Sequence, residues 1–309
     1  MGQLELITTS ILVFWVILMV TLERFFPYKK GLPFIREGFW VDLVWYTLIQ
    51  SYFLKILIFD LIILPLDDKF HLSALQVVSD WPIWVQVIFF LLVHDFYIYW
   101  FHRWQHESKV LWRTHEAHHS VKDVDWLAGS RSHAGEIIIN QTIEFAPIIL
   151  LGAHPAVVPI KALLDATWGM YIHSNINVRT GWLQYIINGP EMHQWHHADH
   201  KIVFFKNYAT KFAFFDWIFG TAYNPGIKPI RFGLPYRFPK DYFAQHIFSV
   251  FRFDIDRLES KSWFKKYYYF RFKLWDFVRG SFFRPAPSYE EPVHKKPPVT
   301  EPEPEELVV

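Results

Sequence analysis

"WPIWVQVIFFLLVHDFYIYWFHRWQHESKVLWRTHEAHH", residues 81–119, decides the fold. Its first half, about Trp81 to Trp100, is apolar apart from Gln86, His94 and Asp95. That is the length and composition of a helix crossing a hydrocarbon core. Its second half packs five histidines into the eighteen positions 102–119. Two readings compete for them: amphipathic side chains at a membrane–water boundary, or the ligands of a metal centre.

The flanking sequence repeats the membrane signal. Leu6 to Leu22 is apolar and uncharged. With no basic segment before it and no small-residue cleavage site after it, it reads as an uncleaved span. The following "ERFFPYKKGLPFIR" carries Arg24, Lys29, Lys30 and Arg36, whereas Glu5 alone precedes the span. By the positive-inside rule this loop faces the cytoplasm. A second apolar run, about Phe39 to Leu66, is interrupted by Asp42, Lys55 and Asp60 and returns the chain outward to the amphipathic "DDKFHLSALQVVSD". The span at 81–100 then brings the histidines of 102–119 to the cytoplasmic mouth of a helix.

Residues 137–172 are apolar again, but Pro147, Gly152, Pro155 and Pro159 interrupt them. Two helices with a tight turn near "GAHPAVVP" are expected, because proline breaks the hydrogen-bond ladder. A hairpin begins and ends on one side, so Ser132, His133 and His173 share the cytoplasmic face with the other histidines. The stretch 251–283 reads as a basic amphipathic interfacial helix. From Arg284, seven prolines among 26 residues indicate a disordered tail.

Composition excludes several classes. With 52% hydrophobic and 20% aromatic residues, the chain suits a bilayer better than water. The 31 basic and 30 acidic residues leave no general basic field, so nucleic acid is not an expected partner. There is no cysteine, so disulfides and thiolate metal sites are excluded. Thirteen of the sixteen histidines fall between His94 and His200.

Their spacing is that of ligands. His102 and His106 lie one helical turn apart on one face. His115, His118 and His119 form H-x-x-H-H, and the pattern returns as His193, His196 and His197. His173, at the end of the hairpin, is a ninth candidate. One ion accepts three to six ligands, so this set calls for two ions. A structural zinc needs four ligands, and a hydrolytic zinc about three plus water. Imidazole suits iron as well as zinc, and a redox pair accounts for the surplus, although spacing alone does not name the element. Asp95 and Tyr99 lie near the face of His102 on the same helix and are placed to orient ligand N–H groups. Glu107, Glu116, Glu136, Asn177 and Glu191 sit beside the motifs. His94, about 12 Å of helix rise from His102, lies within the membrane edge and needs a partner there. His200 reads as a surface or supporting residue.

These motifs, "HDFYIYWFHRWQH", "LWRTHEAHHS", "DWLAGSRSHAGE" and "EMHQWHHADH", resemble the histidine boxes of the fatty acid hydroxylase and sterol desaturase superfamily of membrane di-iron oxygenases. The resemblance covers roughly residues 80 to 220. It implies an all-α polytopic membrane protein of about four transmembrane helices with a cytoplasmic helical metal-binding cap. On that reading residues 1–283 form the integral-membrane domain, with the histidine boxes between residues 94 and 200, and residues 284–309 the Pro/Glu-rich tail. It implies two irons, or zinc as purified, and O2 as co-substrate. His102, His106, His115, His118, His119, His193, His196 and His197 match the family's ligands, as does His173, and His133 falls at a ligand or pocket position. The implied reaction hydroxylates or desaturates a C–H bond of a sterol or fatty acyl lipid.

Electrons are then expected from a separate donor, such as a cytochrome b5-like protein, a ferredoxin or a reductase, since the chain carries no haem module. The expected location is a bacterial inner membrane or the endoplasmic reticulum. The rival reading is a membrane zinc protein, either hydrolase or metal transporter. A transporter would bury ionisable residues along a mid-membrane path, and a hydrolase would leave most of these imidazoles without a task.

Overall fold

Among the described residues, three helices are long and apolar enough to cross a membrane: α1 (Gln3–Phe25), α2 (Val41–Phe70) and α3 (Ile83–Glu107). Phe14 and Ile17 on α1 are 63% and 60% exposed, as expected of side chains whose neighbours are lipid. The opposite side of α1 packs on the hairpin, where Trp15 Nε1 donates to the carbonyl of Thr167 at 2.9 Å. Within α2, wider turns at Val41–Gln50 and Phe59–Ile63 flank regular α-helix at Ser51–Ile58. A computed structural model describes residues 2–256. The residues through Phe253 form one compact unit. The amphipathic segment expected at 251–283 lies almost wholly outside the described residues, and the tail at 284–309 lies wholly outside them.

α3 does not stop at the membrane edge but continues through His102 and His106 to Glu107. Ser108 then caps α4 (Lys109–His119), its hydroxyl accepting from Leu111 N at 3.3 Å. The hairpin forms as α5 (Ala134–Leu150) and α6 (Val157–His173), each 17 residues long. Pro147 is tolerated in the last turns of α5, and the break falls at Gly152 (φ 70°), where a Cβ would lie 2.7 Å from the Ser73 carbonyl. The described residues contain no β-strand, only isolated bridges between Pro27 and Ile176 and between Ala198 and Phe232. Three short helices complete the unit: α7 (Pro190–His196), α8 (Phe214–Ile218) and α9 (Tyr242–Val250).

The bundle has two distinct ends. At one, His154 N donates to Gln86 Oε1 (2.8 Å), tying the hairpin tip to the start of α3. Leu54, Ile58, Val87, Phe90, Phe145, Ile148 and Val157 make the apolar core beneath it. At the other end, buried charges hold the loops. Glu23 Oε1 accepts from Trp126 N (2.7 Å) and Asn175 N (2.8 Å). Arg36 pairs with Asp42 and Asp125 at 2.8 Å each, and Arg131 Nε donates to Asp42 at 2.7 Å. Removing one partner of such pairs strands a buried charge, so the segment 120–131 is strongly constrained. The basic loop after α1 therefore shares an end with the last turns of α3, α4 and α6, where the histidines are.

Candidate metal centre

Nine imidazoles from four helices meet at this end in two groups. His102, His106, His115, His119 and His196 offer ring nitrogens all within 4.8 Å of one another, and so do His118, His173, His193 and His197. Helical spacing divides the motifs between the groups. On α4, His115 and His119 are one turn apart and face the first group, while His118, rotated from them, faces the second. At the end of α7, His196 and His197 diverge in the same way. The groups adjoin, with ring centroids of His119 and His197 4.6 Å apart and those of His115 and His118 5.0 Å apart.

The ring orientations are fixed from outside. The Nδ1–H of His102 donates to the carbonyl of Tyr208 (2.7 Å), that of His106 to Phe204 (3.0 Å) and that of His196 to Lys206 (2.8 Å). His118 donates to the Arg131 carbonyl (3.1 Å), His173 to that of Gly169 (2.7 Å), and His115 to Glu136 Oε1 (3.0 Å). A carbonyl or carboxylate only accepts, so each of these rings carries its proton on Nδ1 and leaves Nε2 as a bare lone pair. The Nδ1 atoms of His193 and His197 are buried without a partner among the described residues.

These lone pairs face one another. His102 Nε2 lies 3.0 Å from His115 Nε2, and His118 Nε2 lies 3.2 Å from His173 Nε2. Neither pair is a hydrogen bond, because neither Nε2 has a proton to give. His106, His119 and His196 also have a buried Nε2 with no partner among the described residues. Two imidazoles bound to one ion at about 2.0–2.1 Å and at right angles sit roughly 3 Å apart. The arrangement therefore fits a cation in each group. Burial, reinforced by neighbouring imidazoles, holds His115, His118, His119, His193, His196 and His197 well below the ordinary histidine value. They are neutral at pH 7, the state a ligand requires.

The other expected residues fall in different places. Asp95 is fully buried and accepts from Thr210 Oγ1 (2.5 Å), Lys211 N (3.1 Å) and Phe212 N (2.7 Å). It thus holds the turn whose Tyr208 carbonyl orients His102. Tyr99 is buried edge-on to Tyr208, its hydroxyl 2.9 Å from Thr221 Oγ1. Glu107 is exposed and pairs with Arg103 (2.9 Å), and Asn177 Oδ1 accepts from Lys228 (3.0 Å). His133 joins neither group: it stacks on His246 at 4.6 Å and bonds Ser249 at 2.9 Å. His200 bonds the backbone of Ile202 at 3.4 Å. Sequence reasoning missed the five backbone carbonyls that set the tautomers, since a carbonyl leaves no mark in the residue type. Glu136 stood beside a motif but carried no signal that it would meet His115.

His94, Glu144 and Asp165 also lie close enough to hold a cation. Lys161 already supplies one: its Nζ is 3.1 Å from His94 Nδ1, 2.7 Å from Glu144 and 2.6 Å from Asp165. This is the partner that His94 requires at membrane depth.

A cavity of about 210 Å³ connects the histidines to this cluster. His102, His115, His118, His173 and His193 line one part of it, Ile98, Phe101, Trp168, Gly169 and Ile172 its apolar wall, and His94, Asp165 and Lys211 its far end.

Residues 87–221 match the family model described as fatty acid hydroxylase. Among curated proteins, the chain is 33% identical over 147 residues to the ornithine lipid hydroxylase of Rhizobium tropici, covering 48% of this chain and 44% of that protein. It is 30% identical over 160 residues to the alkylglycerol monooxygenase of Homo sapiens, covering 50% and 35%. To a very-long-chain aldehyde decarbonylase of Oryza sativa it is 28% identical over 140 residues, covering 44% and 51%. The chain thus spans about half or less of the length of the curated relatives it matches. No solved structure matches it. All nine clustered histidines lie within the matched segment, residues 87–221, and it is this segment that is similar to the fatty acid hydroxylase family.

Proposed function

We propose that this protein is a di-iron, O2-dependent membrane oxygenase that hydroxylates an aliphatic C–H bond of a lipid carrying an acyl or alkyl chain. The observation that carries the reading is the pairing of bare Nε2 atoms at 3.0 and 3.2 Å in two adjoining groups. Five donors in one group and four in the other leave each ion a nitrogen-rich shell, which imidazole provides for iron as readily as for zinc. The family match, and relatives named for hydroxylation or monooxygenation of lipids, favour iron and O2 over a zinc hydrolase.

With O2 and two external electrons, a pair of irons supplies the oxidant that an unactivated C–H bond demands. The nine histidines hold the pair, and Glu136 and the carbonyls of Tyr208, Phe204, Lys206, Arg131 and Gly169 keep six of those rings in the binding tautomer. Ile98, Phe101, Trp168 and Ile172 receive the lipid chain and exclude water from the reacting carbon. The cavity is smaller than the roughly 300–1,000 Å³ of pockets that enclose a whole ligand, so a segment of the lipid enters while the rest stays in the bilayer. The choice between hydroxylation and desaturation rests on where that segment is held, and the named relatives favour hydroxylation.

The basic loop holding Arg24, Lys29, Lys30 and Arg36 is tied to this same end, which supports a cytoplasmic metal centre. Electrons come from a separate carrier, a cytochrome b5-like protein, ferredoxin or reductase. Metal analysis of the purified full chain, paired with O2 uptake on a total lipid extract, tests the reading. Two irons per chain with lipid-dependent uptake are expected. Stoichiometric zinc that iron does not displace, with no uptake, would overturn it.

A further inference from the structure

The cavity beside the histidines is ordered in three zones along two helices. His94 and Asp165 each lie eight residues before a clustered histidine, His102 on α3 and His173 on α6, about 12 Å of helix rise in both cases. Between them the same two helices supply the apolar wall, Ile98 and Phe101 from α3 and Trp168 and Ile172 from α6. The far end is polar, and Lys211 reaches it from the turn that carries Tyr208.

Most polar atoms at that end are committed to one another. An ammonium has three donors, and those of the fully buried Lys161 go to His94 Nδ1, Glu144 Oε1 and Asp165 Oδ2. Asp95, also fully buried, accepts from Thr210 Oγ1 and from the backbone N–H groups of Lys211 and Phe212. Lys211 differs. Its Nζ has one partner within hydrogen-bonding distance among the described residues, Asp165 Oδ1 at 2.6 Å, with Asp95 at 3.9 Å. The side chains of Lys211 and Asp165 keep 12% and 17% exposure, whereas those of Lys161 and Asp95 keep none, and it is Lys211 and Asp165 that line the cavity. Lys211 therefore has donors left for whatever enters.

Charge decides what can take them. Lys161 and Lys211 stand against Glu144, Asp165 and Asp95, two cationic side chains against three carboxyl groups, so this end has no surplus positive charge for an anion. A bare methyl end fits poorly too, because it would cover the ammonium without replacing a hydrogen bond to water. An uncharged oxygen, as in a hydroxyl, ether or carbonyl, meets both conditions.

We propose that Lys211 is a specificity-determining residue that binds an uncharged oxygen of the lipid, and that the hydrocarbon between this oxygen and the reacting carbon lies along the wall of Ile98 and Trp168. The inference rests on the reading of the cavity as the lipid site. It makes the substrate a lipid whose chain bears a neutral oxygen acceptor several carbons from the oxidised position, and that oxygen fixes which carbon reaches the metal centre.

The test measures equilibrium binding of radiolabelled 1-hexadecanol, hexadecanoate and hexadecane to the metal-free full chain in nanodiscs, corrected for partition into empty discs. Lys211→Met removes the donors while Asp165 stays paired with Lys161 at 2.6 Å, and Lys211→Gln keeps an N–H donor without the charge. Wild type is expected to bind the alcohol about tenfold or more tighter than the alkane, and at least as tightly as the carboxylate. Lys211→Met should lose about tenfold for the alcohol and nothing for the alkane, at unchanged circular dichroism, and Lys211→Gln should keep most of the affinity. No preference for alcohol over alkane in wild type, or alcohol affinity unchanged within about twofold in Lys211→Met, would overturn the proposal. Tighter binding of the carboxylate, lost equally in both variants, would overturn it in favour of charge recognition. Absence of lipid-dependent O2 uptake by the iron-loaded wild type, alongside the expected binding pattern, would instead overturn the oxygenase reading and leave the recognition of oxygen standing.

Discussion

A Cβ added to Gly129 would lie 2.6 Å from Nδ1 of His173 and 2.8 Å from its Cε1. The loop before α5 thus approaches the end of α6 so closely that only hydrogen fits between backbone and imidazole. That approach holds His173 in the four-histidine group, since the same Nδ1 is also committed to the Gly169 carbonyl. Gly129→Ala is therefore expected to displace one ring and leave the other group intact. Elemental analysis should fall from two metal ions per chain toward one, and a retained count of two would refute the packing argument.

Among the described residues, Glu136 is the one carboxylate hydrogen-bonded to a clustered histidine, at 3.0 Å from His115 Nδ1. Loss of such an orienting group ordinarily costs about 10–100-fold in metal affinity. Glu136→Ala is expected to show that loss in a competitive chelator titration. Glu136→Gln, which keeps an acceptor oxygen, should lose much less. Equal losses in both variants would mean that the negative charge, not the hydrogen bond, is what matters.

Lys161 is completely buried between Glu144 and Asp165. Lys161→Met leaves Glu144 without its cation, while Asp165 keeps Lys211 at 2.6 Å, and stranding one member of a buried pair costs about 3–5 kcal/mol. The variant is expected to unfold at markedly lower temperature in detergent, and Lys161→Met with Glu144→Leu should recover part of the loss. A Tm within a degree or two of the wild type for Lys161→Met would rule out this role.

His133 and His246 stack outside the metal groups, and burial, with His246 next in effect, depresses His133 to about 4. A group whose folded-state pKa is lowered stabilises the fold above its unfolded value, near 6.5 for histidine, and loses that contribution as pH falls toward the folded value. Stability should therefore decline between about pH 6.5 and 4 as α9 loosens from the start of α5. His133→Gln should flatten that decline by up to about 1.4 kcal/mol per pH unit. Identical pH profiles for wild type and variant would exclude the contribution.

Much of this architecture was legible in one dimension. The apolar runs at α1, α2 and α3, the proline-rich break of the hairpin and the arrival of the histidines at one end of the bundle follow from hydropathy and local chain stiffness. Those are properties of contiguous residues. The nine candidate ligands were legible too, because helical spacing puts histidines three or four residues apart on one face. What one dimension could not hold was the partition. His118 and His119 are neighbours in sequence yet serve different groups, because adjacent residues on a helix point about 100° apart and the receiving side chains come from α3, α6 and α7.

The tautomers are likewise a tertiary property, set by backbone carbonyls whose positions depend on distant turns held by Asp95 and by the Arg36–Asp42–Arg131 cluster. The role of Lys161 also depends on folding, which brings His94, Glu144 and Asp165 around it. The sequence by itself determined which side chains could bind metal and that they would gather at one end of the helical bundle. Only the packing of helices against one another decided which lone pairs face each other, because that depends on contacts between residues far apart in the chain.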